Sequence, residues 1–250
     1  MTRAFTFKLR NLLINVNLIR RIRYFLFDFH DFISNRKFKI LRRVIEQKGI
    51  KTIVDVGANI GQFGLEMRRI GFKGQLFSYE PVTESFDFLA KKVFHDDQWE
   101  CFKLGLGSRL DEVEIGVSNN FGLSSSILPI LSSHVENSPT SKFGNYETIK
   151  LTTLDDEISR LGIVPNSALV KIDVQGYELE VLRGALYKIK DIAALLIEVS
   201  LIELYSSSPT LKDILEFFEE QASHQLVNIF RSFSTSNGEL LQIDILLVSR

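Results

Sequence analysis

The 250-residue chain has room for one substantial α/β domain and a short appendage. Its 45% hydrophobic and 24% charged residues fit a folded globular protein, and a single cysteine, Cys101, excludes an internal disulfide and a cysteine-rich metal centre. The net charge of −1 conceals a division: residues 1–48 hold twelve Lys or Arg against three acids, whereas residues 49–250 hold 18 against 28.

The basic opening therefore separates as a helical extension, 1–48, ahead of a domain at 49–250. Leu12, Leu13, Val16, Ile19, Ile22, Phe25, Leu26 and Phe29 interleave with Arg20, Arg21 and Arg23. That pattern suits either helices capping the core or an interfacial helix in peripheral contact with anionic lipid. No apolar run nears the roughly 18 residues that span a bilayer, and Asn15 and Asn17 interrupt any signal-peptide core. The mature chain is expected to begin at or near Met1. A cytoplasmic setting fits the lone cysteine, with or without membrane association. The acidic remainder carries no basic stripe, so nucleic acid is not an expected partner. The pattern does not address oligomeric state.

Lys39 to Gly49 reads as a helix with Ile40, Leu41, Val44 and Ile45 on its core face. Lys51 to Gly61 follows as K-T-I-V-D-V-G-A-N-I-G. Ile53, Val54 and Val56 predict a buried strand, yet Asp55 lies inside it, and a buried carboxylate is costly without a partner. Gly57 and Gly61 allow a tight turn with close backbone approach, and Phe63, Met67 and Ile70 then open a helix. Strand, glycine turn and helix form the first unit of a Rossmann-like fold. The turn is not a dinucleotide loop, because Asn59 and Gln62 occupy the second and third glycine positions of G-x-G-x-x-G, and no G-K-[ST] follows. A strand-end acid beside a small-residue turn suits a ligand with a cation and no phosphate.

Residues 74–79 predict the next strand, ending at Glu80-Pro81. Glu80 lies 19 residues beyond Gly61, near the interval at which a strand-end acid accepts both hydroxyls of a ribose. S-adenosylmethionine combines that diol with an ammonium and a sulfonium. Residues 85–94 predict a helix, and 100–106 a third strand whose following loop, around Leu106, passes beside an adenine in this architecture. Two strands, 112–117 and 148–154, bracket a polar loop containing G-L-S-S-S-I (122–127), either a flexible excursion or a substrate-side flap. His134 in that region is a minor candidate, more readily read as solvated.

Residues 152–161 predict a short helix capped by Thr153, with Asp156 three residues on. A fourth buried strand, 168–173, ends at Asp173, and a helix through Leu179, Leu182 and Leu186 follows. Residues 193–199 give a fifth strand with Glu198 near its end. A helix over 210–223 and closing strands at 226–230 and 240–248, pairing as a hairpin, complete the chain. Asp55, Glu80 and Asp173 thus all stand at carboxyl ends of predicted parallel strands, the edge where open α/β sheets bind ligands.

The ordered motifs D-V-G-A-N-I-G (55–61), Y-E-P (79–81), T-L-D-D (153–156), K-I-D-V-Q-G-Y-E-L-E-V-L-R-G-A (171–185) and I-E-V (197–199) resemble the FkbM family of S-adenosylmethionine-dependent methyltransferases. Gln175 stands where many members carry glutamate. The resemblance runs from about residue 51 to 199. It implies a Rossmann-like class I methyltransferase fold: a seven-stranded, mostly parallel sheet with a reversed terminal strand. It implies that Asp55, Gly57, Ala58, Asn59 and Gly61 surround the methionine end of the cofactor. Glu80 and Pro81 would lie by the ribose, Leu106 by the adenine, and Asp173 beside the reactive methyl. The implied activity is O-methylation of a sugar, glycan or secondary-metabolite hydroxyl on a small-molecule or glycan acceptor. A base near that hydroxyl contributes about 10²–10⁴-fold, with Asp173 the first candidate and Glu198 and Glu178 the next. A hard cation shared by Asp173 and Glu198 is the less favoured route, and no metal is expected. An NAD(P)-dependent enzyme and a non-catalytic partner-binding module are the alternatives from other classes.

Overall fold

The structure is a computed structural model and describes residues 36–250 apart from Ser236. Most of the basic extension expected over 1–48 lies outside the described residues. Internal contacts divide the chain into Met1–Leu41 and Arg42–Arg250. Only the start of helix α1 (Arg36–Lys48) is described in the first unit, and every element below belongs to the second.

The strands, in chain order, are β1 (Thr52–Val56), β2 (Gln75–Tyr79), β3 (Trp99–Phe102), β4 (Gly105–Leu106), β5 (Asp111–Ser118), β6 (Phe143–Thr152), β7 (Ala168–Ile172), β8 (Ala194–Ser200), β9 (His224–Arg231) and β10 (Gln242–Ser249). The helices after α1 are α2 (Gln62–Arg69), α3 (Thr83–Val93), α4 (Ser132–Asn137), α5 (Leu154–Arg160), α6 (Glu178–Arg183) and α7 (Leu211–Gln221). Seven strands make the main sheet in the order β3-β2-β1-β7-β8-β10-β9. Six run in one direction, β9 included, and β10, the last in sequence, runs antiparallel between β8 and β9. The expected reversed terminal strand and its hairpin with β9 are both present. Every residue of β7 and β8 is buried, as a parallel sheet covered on both faces requires.

The stretch expected as one third strand is two. β3 stops at Phe102, where its partner β2 stops at Tyr79, and the Glu80 N–H closes the pairing on the Phe102 carbonyl at 3.1 Å. Gly105 and Leu106 then pair with Leu151 and Thr152 in a second, three-stranded sheet, β4-β6-β5. Gly105 packs closely there: a Cβ would stand 2.6 Å from Leu151 Cδ2, which would have to shift. Helix α5 starts as expected: Thr153 Oγ1 accepts the Asp156 N–H at 3.1 Å. Helix α7 carries a capping box that was not expected, with the Thr210 N–H donating to Asp213 at 2.7 Å.

The serine-rich loop is neither loose nor wholly irregular. Ser118 Oγ donates to Asn120 Oδ1 at 2.6 Å, the Ser124 N–H returns to Ser118 Oγ at 3.0 Å, and Asn120 Nδ2 donates to Ser124 Oγ at 2.9 Å. His134 is also not solvated. It lies on α4, 3% exposed, packed on Tyr205 and Phe233 with Nδ1 unpartnered, and burial pushes its pKa down. The apolar neighbours Leu131 and Val135 in its own segment are the signal that favoured burial.

Candidate active site

The turn after β1 is built by hydrogen bonds from its own amides to the end of β2. The N–H groups of Gly57 and Ala58 both donate to the Tyr79 carbonyl at 3.0 Å, and the Asn59 N–H donates to Glu80 Oε2 at 2.8 Å. The Gly61 N–H bonds the Ala58 carbonyl at 2.8 Å. These four amides already have protein acceptors, so the turn does not offer them to a pyrophosphate as a dinucleotide loop does. The two glycines serve packing within the protein. Gly57 has φ 74°, and a Cβ on it would meet the Asp173 carbonyl oxygen at 1.8 Å. At Gly61, with φ 85°, it would meet Leu89 Cδ1 at 2.8 Å. The close approach expected toward a ligand is therefore an approach to β7 and to α3.

Asp55 finds its partner across the sheet. Register places it opposite Lys171 on β7. Lys171 Nζ lies 3.2 Å from Asp55 Oδ1, 3.4 Å from Asp173 Oδ2 and donates to the Gly57 carbonyl at 2.7 Å. Burial alone would discharge this amine, but Asp173 and Asp55 reverse that and hold it firmly protonated. Asp55 is fully buried, and burial raises its pKa against the opposing pull of Lys171. Neither of its oxygens has a hydrogen bond beyond the ion pair. Lys171 lies inside one of the family motifs, yet the sequence alone assigned it no role. The signal was available: a lone cation inside A-L-V-K-I pairs by register with a lone anion inside T-I-V-D-V.

Glu80, 6% exposed, braces its own turn. Oε2 takes the Asn59 N–H and Oε1 takes the Val82 N–H at 2.9 Å, one residue past Pro81. Each oxygen retains a lone pair, the arrangement that two vicinal hydroxyls need. Burial pushes its pKa up to about 7 despite the two backbone donors. Asn59 also ties the turn to the serine loop, donating from Nδ2 to the Phe121 carbonyl at 2.9 Å. Leu106 is different. Its side chain is 2% exposed in the main core, so only its backbone is available at an adenine edge.

The acids beyond β7 and β8 are brought together, with unequal surroundings. Asp173 is one-third exposed, and Gln175 Nε2 donates to its Oδ1 at 2.8 Å. Burial pushes this carboxyl up, but Lys171, Gln175 and Glu198 together outweigh it and hold Asp173 below its usual value. Glu198, 8% exposed, accepts from Gln175 Nε2 at 2.7 Å, Gln242 Nε2 at 3.1 Å and Ser232 Oγ at 2.5 Å. Burial, then Asp173 and Asp244, raise its pKa well above normal. The two carboxyls are thus pushed in opposite directions, Asp173 toward the anion and Glu198 toward the neutral acid. Glu178, the remaining candidate base, is turned back onto the loop before its helix. It is 5% exposed and accepts the Val174 N–H at 3.0 Å and the Gly176 N–H at 3.0 and 3.1 Å, bracing the loop between β7 and α6. The Gln175 amide nitrogen lies between Asp173 and Glu198, where a shared cation would have to sit. Among the described residues no group of three or more His, Cys, Asp or Glu is placed to hold a metal.

A chain with these motifs on this strand order has a family. The model of the "Methyltransferase FkbM domain" matches residues 55–224. The chain belongs to the FkbM methyltransferase family. It is an S-adenosylmethionine-dependent methyltransferase domain, which removes the nicotinamide alternative. Among curated relatives, it is 25% identical over 186 residues to the 2-O-methyltransferase NoeI of Sinorhizobium fredii, covering 71% of this chain and 76% of that one. It is 25% identical over 162 residues to the hexuronic acid methyltransferase AglP of Haloferax volcanii, covering 64% and 61%. The chain spans about 60% of the length of AglP and of methyltransferase sdnD of Sordaria araneosa. The crystal structure of an O-methyltransferase candidate from Klebsiella pneumoniae shares the fold, with TM-score 0.50 and 11% identity over 86% of this chain and 81% of that one.

Proposed function

We propose that this FkbM domain is an O-methyltransferase for a hydroxyl on a sugar, glycan or secondary metabolite, with Asp173 as its base. The observation that carries the reading is the contrast among the clustered acids. Asp173 is one-third exposed and held ionised, while Asp55, Glu80, Glu178 and Glu198 are buried and engaged in the turns and strand ends. The names of AglP and NoeI, a hexuronic acid methyltransferase and a 2-O-methyltransferase, support a carbohydrate acceptor.

S-adenosylmethionine, when bound, supplies a methyl group already activated on sulfur. The residues fit it: Glu80 retains the lone pairs to accept both ribose hydroxyls, and Pro81 follows as part of the same turn. The turn through Gly57, Ala58, Asn59 and Gly61 flanks the methionine end. Asp55 acts through Lys171, which holds the Gly57 carbonyl and Asp173 at the ends of adjacent strands. The protein's task is then to align the acceptor oxygen, exclude water and take up one proton. An ionised carboxylate of low basicity suffices, because the hydroxyl grows strongly acidic as its oxygen gains the methyl carbon. Glu198 and Glu178 serve as supports of that base. The catalytic domain is assigned to 49–250 and the basic segment 1–48 to an appendage. No helix among the described residues is long and apolar enough to cross a membrane.

Asp173→Asn tests the assignment. With labelled S-adenosylmethionine and an extract or glycan pool that the parent protein labels, turnover should fall by at least about 10²-fold. S-adenosylhomocysteine affinity should stay within about threefold. Equal loss of both would make Asp173 a binding residue and overturn the proposal.

A further inference from the structure

A single neutral side chain stands between the acids at the ends of β7 and β8. Gln175 Nε2 donates to Asp173 Oδ1 at 2.8 Å and to Glu198 Oε2 at 2.7 Å, so each amide proton serves a different carboxyl. The other end of the amide is fixed as well. The hydroxyl of Tyr205, a fully buried residue, lies 2.9 Å from Gln175 Oε1 and 3.1 Å from the Ser124 carbonyl, so its one proton is shared between the amide and the serine loop. The backbone is held at φ 56°, a conformation that side chains with a Cβ seldom adopt. Its carbonyl accepts from Ser126 Oγ at 2.7 Å. Strained backbone of this kind persists only where its surroundings over-determine it. Here the serine loop, Tyr205 and two acids all do so.

We propose that Gln175 is a positioning residue for Asp173: its amide nitrogen separates the two carboxyls and fixes the orientation of the Asp173 carboxylate. This rests on Asp173 being the base proposed above. The charged groups around Asp173 are Lys171 on its own strand, Asp55 on β1, Glu198 on β8 and Glu178 on α6. Asp244 on β10 and the Tyr205 hydroxyl face Glu198. Lys171 is the cation of that set. A carboxylate at position 175 would face two acids with no proton to offer. An amide offers two protons and adds no charge. Glu198 keeps its Gln242 and Ser232 donors whatever stands at 175, so the effect of the exchange falls on Asp173.

The experiment is a pH titration of the full chain labelled with ¹³C at aspartate carboxyls, with the Asp173 signal identified by its absence in Asp173→Asn. In the parent protein that signal should remain ionised from about pH 5 to 9. In Gln175→Glu its midpoint should rise by more than about one pH unit. Gln175→Met keeps the length and loses both donors, so it should raise the midpoint by less. It also decides the matter if Gln175→Glu does not fold. Midpoints within about 0.3 unit of the parent in the folded variants would overturn the proposal. No acceptor is needed. Failure here with turnover still lost in Asp173→Asn would remove Gln175 and leave the base, and the converse result would do the opposite.

Discussion

Replacing Lys171 by methionine tests whether the buried pair across β1 and β7 holds this edge of the sheet. At 3.2 Å and an effective dielectric constant of about 20, the Lys171–Asp55 attraction is about 5 kcal/mol. Desolvation offsets most of that in the intact pair. Removing one partner instead leaves Asp55, with no exposed surface, carrying an unpaired charge. Such breaks cost about 3–5 kcal/mol, a large share of the roughly 5–15 kcal/mol that holds a domain folded. Urea unfolding of Lys171→Met should show this loss at pH 8. Asp55 already titrates above its unfolded value because it is buried, and losing Lys171 raises it further. A raised carboxyl weakens folding above its unfolded pKa, so the deficit should be greatest at pH 8 and shrink toward pH 5. The double variant Lys171→Met, Asp55→Asn removes both charges and should recover more than half of the loss. A single-variant cost below about 1 kcal/mol, or no recovery in the double, would refute the pairing as the reason Asp55 is tolerated.

Three further outcomes follow from the same geometry. Glu80 protonates near pH 7 in the free protein, and only its ionised form accepts from both ribose hydroxyls. S-adenosylhomocysteine affinity measured by calorimetry should therefore weaken by up to tenfold per unit as pH falls below about 7, and Glu80→Gln should bind more weakly with a flat profile; a flat profile in the parent protein would count against the ribose assignment. Gly57→Ala places a Cβ 1.8 Å from the Asp173 carbonyl at φ 74° and should cost at least about 2 kcal/mol in chemical unfolding, a near-neutral result contradicting the packing role. Thr153→Ala removes the acceptor for the Asp156 N–H and should cost about 1 kcal/mol, with Thr153→Ser restoring most of it.

The parallel half of the sheet was legible because β1, β7 and β8 are short apolar runs with an acid inside or just beyond them, a pattern that few elements besides buried parallel strands produce. The three acids were legible for the same reason, since a charge in a buried run stands out. The break between β3 and β4 was not legible: E-C-F-K-L-G-L reads as one largely apolar run, and what divides it is the length of β2 and the close packing of Gly105 on Leu151. The purpose of Gly57 was obscured similarly. Sequence reports that no Cβ fits there, but only the crossing of β7 says that backbone, not ligand, fills the space. Lys171, Gln175 and Tyr205 act across strands and loops far apart in sequence, so their partners were invisible from spacing. Glu178 was legible as a candidate base but not as a brace of its own loop, because helix periodicity does not register a side chain turned back onto the preceding turn.

The placement of β10 has a consequence for synthesis. β9 leaves the ribosome first, yet its sheet neighbour is β10, which is translated after it and inserts against β8. Until those last residues emerge, β9 has no ladder to join, and Leu226, Val227 and Ile229 lie along an unpaired strand. At about 5–20 residues per second the gap lasts on the order of a second or more. During that interval nascent chains on neighbouring ribosomes of one message can cross-pair through β9, so slow translation through residues 232–241 should lower the soluble yield of a protein that is stable once finished.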